Sequence, residues 1–74
     1  MTDEGRAEAV SAELALADDE VRAAEALLSA ALTRVALART YFAAFHLARA
    51  MLFSLGLEPR SHAGVRHLFN VHCV

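Results

Sequence analysis

The stretch Arg34-Val-Ala-Leu-Ala-Arg-Thr-Tyr-Phe-Ala-Ala-Phe-His-Leu-Ala-Arg-Ala-Met-Leu-Phe-Ser-Leu55, closed by Gly56, decides the fold. It is alanine-rich, holds no Gly or Pro, and so predicts one helix over about Arg34–Leu55. Gly56 stands where a left-handed residue ends a helix, and Pro59 follows, so the helix stops there. Inside it Arg39 and His46 are seven residues apart, about two turns, and share a face roughly 10 Å apart along the axis. Arg49 falls near the same stripe. A guanidinium holds phosphate bidentately, and an imidazole can move a proton near neutral pH. That combination suits RNA chemistry. A buried polar network fastening this helix to its neighbours is the competing explanation.

Downstream, Leu57-Glu58-Pro59-Arg60 reads as a turn, and Ser61 can cap a third helix over roughly His62–Val71, weakened by Gly64. Upstream, residues from about Arg6 to Leu32 read as a first helix. Val10, Leu14, Ala17, Val21, Ala24 and Leu28 step by four and three, which predicts one apolar stripe, with Asp18-Asp19-Glu20 mostly facing away. No Gly or Pro marks the boundary between the first two helices. Thr33 is the candidate cap there, and one long bent helix is the alternative. Strand patterns, repeats and low-complexity linkers do not appear. The expectation is all-α: two long antiparallel helices and a short third in a helical bundle.

A chain of 74 residues makes at most one small domain. A core of this size supplies about 3–5 kcal/mol, and alanine, a large part of the 57% apolar content, adds little burial per residue. Oligomerisation or a further segment would remedy a thin core, and Phe69-Asn-Val-His-Cys-Val74 reads as a helix with an apolar face and nothing after it to cover it. The net charge of −2 hides a division. Residues 1–30 carry eight acidic residues against Arg6 and Arg22, a balance of −6; residues 31–74 carry five arginines against Glu58, a balance of +4. Such asymmetry points to nucleic-acid contact or self-association, unless the acidic residues simply solvate the first helix.

Cys73 is the only cysteine, so no disulfide framework exists within the chain, which suits a reducing cytoplasm. The acidic start Met1-Thr-Asp-Glu-Gly5 is no signal peptide, and no apolar run approaches membrane-spanning length. His62, His67 and His72 recur every five residues. On a helix that step rotates successive side chains about 140° apart, which argues against a zinc site in one chain.

The order Arg39, Tyr41, Phe42, Ala43-Ala44, Phe45-His46, Ala48-Arg49-Ala50, then Leu55-Gly56-Leu57-Glu58-Pro59-Arg60-Ser61-His62-Ala63-Gly64-Val65, resembles the HEPN domain (higher eukaryotes and prokaryotes nucleotide-binding). The branch it is similar to comprises small stand-alone bacterial and archaeal proteins often encoded beside a minimal nucleotidyltransferase. There an S-R-x-Y-Y-A-x-F-H-x-A-[KR]-A-L-L helix precedes a G-L-x-[PK]-x-x-H-x-G turn. The match covers about Ala12 to Val74. Three departures stand out: family members usually run well past this length, the usual Gly between the first two helices is absent around Ala30-Ala31, and Phe42 replaces the second tyrosine.

The resemblance implies a helical bundle, often a homodimer, that binds RNA or nucleotide, and a possible nucleotidyltransferase antitoxin as partner. Many such proteins are metal-independent ribonucleases acting as toxins through Arg-x(4–6)-His, a pattern that Arg39 and His46 satisfy. On that reading His46 is the general base or acid on an RNA 2′-hydroxyl and Arg39 steadies the growing phosphate charge, with no metal or cofactor. Tyr41, Arg49, Arg60 and His62 are the candidate nucleotide or RNA contacts. Each has a structural counterpart: Tyr41 as core, His62 as a turn residue approaching the second helix near Arg49, the arginines as solvated charges. Phe42, Phe45, Leu52 and Phe53 read as core. A catalytically silent binding module is the alternative function, and a degenerate fragment a third.

Overall fold

In the computed structural model, which describes residues 1–73, the chain forms three helices: α1 (Asp3–Ser29), α2 (Thr33–Ser54) and α3 (His62–His72). No strand occurs among the described residues. Val74, the last residue of the stretch that resembles the HEPN domain, lies outside them. Thr2 starts α1 by accepting the Gly5 N–H on its hydroxyl at 2.9 Å, and Asp3 and Glu4 in the first turn complement the helix dipole.

The boundary that the sequence left unmarked is a sharp one. Ala30–Leu32 break the chain into two helices, so the single bent helix does not occur. Ala31 takes φ +63°. The Leu32 N–H bonds the Leu27 carbonyl at 2.8 Å and the Ala31 N–H bonds the Leu28 carbonyl at 3.0 Å. That is a Schellman ending, built without glycine. Thr33 is not the cap: Leu32 occupies that position without a side-chain bond, and Thr33 is already helical. The end of α2 uses the same motif with the expected residue. Gly56 has φ +82°, and the Leu57 and Gly56 N–H groups bond the Leu52 and Phe53 carbonyls at 3.0 and 2.9 Å. Ser61 caps α3, accepting the Gly64 N–H at 2.9 Å.

Helices α1 and α2 run antiparallel: Glu13 of α1 meets His46 and Arg49 near the end of α2, and Glu20 meets Arg39 nearer its start. Their seam follows three-and-four spacing, through Val10, Glu13, Ala17, Glu20, Ala24 and Leu27 on α1 and Ala36, Arg39, Ala43, His46, Ala50 and Phe53 on α2. Alanines at Ala17, Ala36, Ala43 and Ala50 are buried and let the backbones approach, while longer polar side chains between them span the gap. Helix α3 rests on α2, and Val65 of α3 and Leu52 of α2 are both buried.

The predicted stripe on α1 is corrected by this seam. Val10, Ala17 and Ala24 belong to it, but Leu14, Val21 and Leu28 are exposed. Glu13, Glu20 and Leu27 take the inward positions instead. Neighbouring residues differ by about 100° around a helix, so the helix is turned to present carboxylates to the basic face of α2. Among the acidic cluster, Asp18 and Asp19 face water as expected, and Glu20 does not. Leu52 and Phe53 are core; Phe42 and Phe45 are only half-buried.

Candidate functional site

The seam places Arg39, His46 and Arg49 along the side of α2 that α1 covers. Glu13 is buried, with 8% of its side chain exposed, and an isolated carboxylate there would be costly. It is held on both oxygens. Oε2 lies 2.6 Å from His46 Nδ1, and Oε1 lies 3.0 Å from Arg49 Nη1. A carboxylate can only accept, so Nδ1 is the donor, and the neutral tautomer that fits this contact has its lone pair on Nε2. The His46 side chain is 17% exposed. This is a carboxylate-oriented imidazole, the arrangement that fixes tautomer and ring direction wherever a histidine moves protons.

One turn-pair away, Arg39 Nη1 donates to Glu20 Oε1 at 3.3 Å and sits 3.2 Å from Oε2. Its side chain is 38% exposed and lies over the Phe42 ring, 4.8 Å from the centroid. A guanidinium has five N–H donors, so Arg39 can keep Glu20 and still offer donors to an anion. Arg49 stacks on two rings, 5.2 Å from the Phe53 centroid and 5.9 Å from that of Phe45. Its Nε is buried without a partner.

His62 and Arg60 stand apart from this seam, at the junction of α2 and α3. The His62 ring stacks on Phe45 with centroids 4.0 Å apart and planes 17° apart. It thus approaches α2 near Arg49, as the turn reading expects. A cleft of about 170 Å³ opens there, lined by Phe45, Arg49, Arg60, Ser61 and His62. Tyr41 is not core: it is 55% exposed, edge-on to Phe42 at 5.4 Å, and borders a second cleft between α2 and α3. Arg49 is the one candidate that belongs to both the seam and the junction. His67, His72 and Cys73 join no group of three that could hold a metal, among the described residues.

Glu13 and Glu20 went unread as site residues. Their signal is in the sequence nonetheless: Glu13-x3-Ala17-x2-Glu20 and Arg39-x3-Ala43-x2-His46 share one spacing around a small residue, acidic in the first helix and an arginine and a histidine in the second.

Comparison with known proteins agrees with the family resemblance. The HEPN domain model matches residues 11–73. A Methanocaldococcus jannaschii protein named "Putative toxin MJ0605" is 39% identical over 67 residues, which is 90% of this chain and 50% of the relative. A Pyrococcus horikoshii protein named UPF0332 protein PH1297 is 34% identical over 67 residues, 90% of this chain and 47% of the relative. A Gloeobacter violaceus protein, UPF0332 protein glr0978, is 41% identical over 56 residues, 76% of this chain and 44% of the relative. The chain therefore spans about half the length of these relatives. No solved structure gives a significant match. Among the described residues, no helix is long and apolar enough to cross a membrane.

Proposed function

Because the chain belongs to the HEPN domain family, we propose that it acts on RNA as a metal-independent endoribonuclease of the toxin kind, with His46 and Arg39 as its reacting pair. The observation that carries this reading is the 2.6 Å contact between Glu13 Oε2 and His46 Nδ1, which makes Nε2 the basic nitrogen of the neutral ring. In the reaction, Nε2 takes the proton of a ribose 2′-hydroxyl. The 2′-oxygen bonds the adjacent phosphorus, the P–O5′ bond breaks, and the leaving 5′-oxygen takes a proton from a second acid. The products are a 2′,3′-cyclic phosphate and a 5′-hydroxyl. Positioned proton transfer of this kind contributes about 10²–10⁴-fold. Arg39 would steady the negative charge that builds on the phosphate oxygens.

About 10 Å of helix axis separates Arg39 from His46, so one copy does not bring both onto one phosphate without help. Two copies facing each other supply an Arg39 and a second His46 across a shared cleft. The homodimer is thus part of the proposal, as is a nucleotidyltransferase antitoxin that would silence it. The name borne by the Methanocaldococcus jannaschii relative supports a toxin context.

A second reading draws on the same contacts. Arg39 is ion-paired and His46 hydrogen-bonded to α1 carboxylates, as in a purely structural network, and the chain is then a silent module that docks on its partner. RNA cleavage in EDTA separates the two. The nuclease reading expects cleavage by the parent chain, its loss in His46→Ala with helical circular dichroism largely kept, and a weaker Arg39→Lys that has charge without the bidentate fork. Equal cleavage by His46→Ala removes the pair from the chemistry, and a folded parent that cleaves nothing leaves the binding module.

A further inference from the structure

The seam leaves one apolar line of α1 outside it. Leu14, Val21 and Leu28 follow one another at seven-residue steps and so keep to one side of the helix. Val21 and Leu28 wall a groove of about 380 Å³, with Thr33, Leu37 and Thr40 of α2 opposite. Its floor is Ala24 and the buried Ala36. The helices are antiparallel, so one further step carries both walls the same way, to Leu14 on α1 and to Leu47, seven residues beyond Thr40, on α2. Val21 and the four leucines are between 41% and 70% exposed. Helix α3 packs on α2 alone, and none of its residues lines the groove. A continuous apolar surface of this kind marks a place where something binds.

The groove is acidic along one edge only. Glu25 lines it, and Asp18 stands seven residues earlier on the same line of α1. Both are exposed, and neither makes an ion pair among the described residues. The α2 edge is neutral, and Thr40 spends its hydroxyl on the Ala36 carbonyl at 3.0 Å. Arg34 follows Thr33 and falls about 100° further round α2. Arg39 and Arg49 are engaged at the seam.

This charge pattern selects the occupant. Nucleic acid is repelled by Asp18 and Glu25. A second copy offering the same face adds carboxylates and brings no base to meet them. A second copy offering α3 brings Arg66 and His67, but Val71 is the one large apolar residue exposed on that helix. We propose that the groove docks an amphipathic helix of another protein, its apolar stripe laid between α1 and α2 and its lysines or arginines along the edge that meets Asp18 and Glu25. From Leu14 to Leu28 the groove runs about 21 Å, or about four turns of such a guest. Apolar anchors at three- and four-residue spacing fill a groove of this form, and two cations seven residues apart match the two carboxylates. The surface shares no residue with Arg39 and His46, so it does not rest on the nuclease reading.

The test uses two fluorescein-labelled peptides of about 18 residues, long enough to hold a helix. They share one leucine stripe at three- and four-residue spacing, and one carries lysine on its flanks where the other carries glutamate. Binding to the whole chain is followed by fluorescence anisotropy. The lysine peptide should bind saturably and the glutamate peptide about tenfold or more weakly. Asp18→Lys with Glu25→Lys should invert that order. Glu8→Lys makes the same kind of charge change about 120° round α1 from Leu14 and should preserve the order. Val21→Ser should weaken the lysine peptide about tenfold, with helical circular dichroism kept. A lysine peptide unbound at millimolar concentration, or an order that survives the double charge reversal, overturns the site. Equal binding by a folded Val21→Ser chain does the same. Sedimentation of the chain alone is the last arm: a parent dimer that Val21→Ser converts to monomer gives the groove to a second copy and overturns the proposal.

Discussion

Glu13 and Glu20 stand seven residues apart on one stripe of α1, face the same side of α2 and take an arginine each, yet they sit in different media. Glu13 is buried under α2 and shares its two oxygens between Arg49 and His46. Glu20 is 21% exposed, and its partner Arg39 is more open still. Coulomb attraction between such pairs grows as water is excluded, and so does the penalty for leaving one member alone. The same sequence element therefore makes a structural clamp at one end of the seam and a loosely held arginine at the other. Clamping is what orients His46, and the looser hold on Arg39 is what the proposed phosphate contact would use.

The largest way to break this contrast is Glu13→Ala. It strands Arg49 and the His46 Nδ1–H under α1, and losses of about 3–5 kcal/mol follow when one partner of a buried pair is removed. That equals the whole stability expected of a chain this small. Thermal melts followed by circular dichroism should show Glu13→Ala largely unfolded; a melt within a few degrees of the parent would mean that the clamp carries no weight. Glu13→Gln is gentler and tests orientation. It keeps shape and one acceptor but surrenders the charge, and supporting partners of this kind are worth about 10- to 100-fold in activity. Cleavage reduced in that range by a folded Glu13→Gln chain is the expected outcome, and unchanged cleavage would reduce Glu13 to a packing residue.

The two helix ends offer a smaller and cleaner comparison. Both close with Schellman bonds, but the left-handed residue is Ala31 in one and Gly56 in the other. A side chain in that conformation costs about 1–2 kcal/mol, offset in part by the entropy glycine loses on folding. Ala31→Gly should therefore stabilise by about 0.5–1 kcal/mol and raise the melting temperature by a few degrees. Gly56→Ala should cost about 1 kcal/mol through backbone strain alone, because a methyl there meets only the Arg6 side chain at an ordinary 3.6 Å. Opposite signs from the same pair of residues at two equivalent positions are the test. The smallest effect belongs to Glu20 and Arg39. A double-mutant cycle with alanine at both should give about 0.2–1 kcal/mol, shrinking as salt is added. A coupling as large as that of Glu13 would abolish the contrast.

Helix α2 and its ending were legible because their signals are local. An uninterrupted alanine-rich run, a glycine at the stop and a serine before the next start act within a few residues of themselves. The common face of Arg39, His46 and Arg49 was legible for the same reason, being a matter of helical period. What lay on that face was not. Leu14, Val21 and Leu28 make a regular apolar stripe, and local periodicity alone selects it. The seam selected Glu13, Glu20 and Leu27 because the facing helix offers arginines and histidine between alanines, and paired charges across a close approach outweigh the extra apolar area. The α1–α2 boundary was placed near Thr33 but left open to a single bent helix, because Ala31 carries no mark of the conformation it adopts.

By itself the sequence determined an all-α chain, three helices, the caps at Gly56 and Ser61, and the stripe that bears Arg39 and His46. Each depends on backbone preferences and spacing within one helix. The tertiary structure decided which side of α1 is buried, that Glu13 holds His46 by Nδ1, and that Arg49, Arg60 and His62 converge around Phe45. These depend on how two or three helices meet. Pairing across a seam is a property of both surfaces at once, and neither helix states it alone.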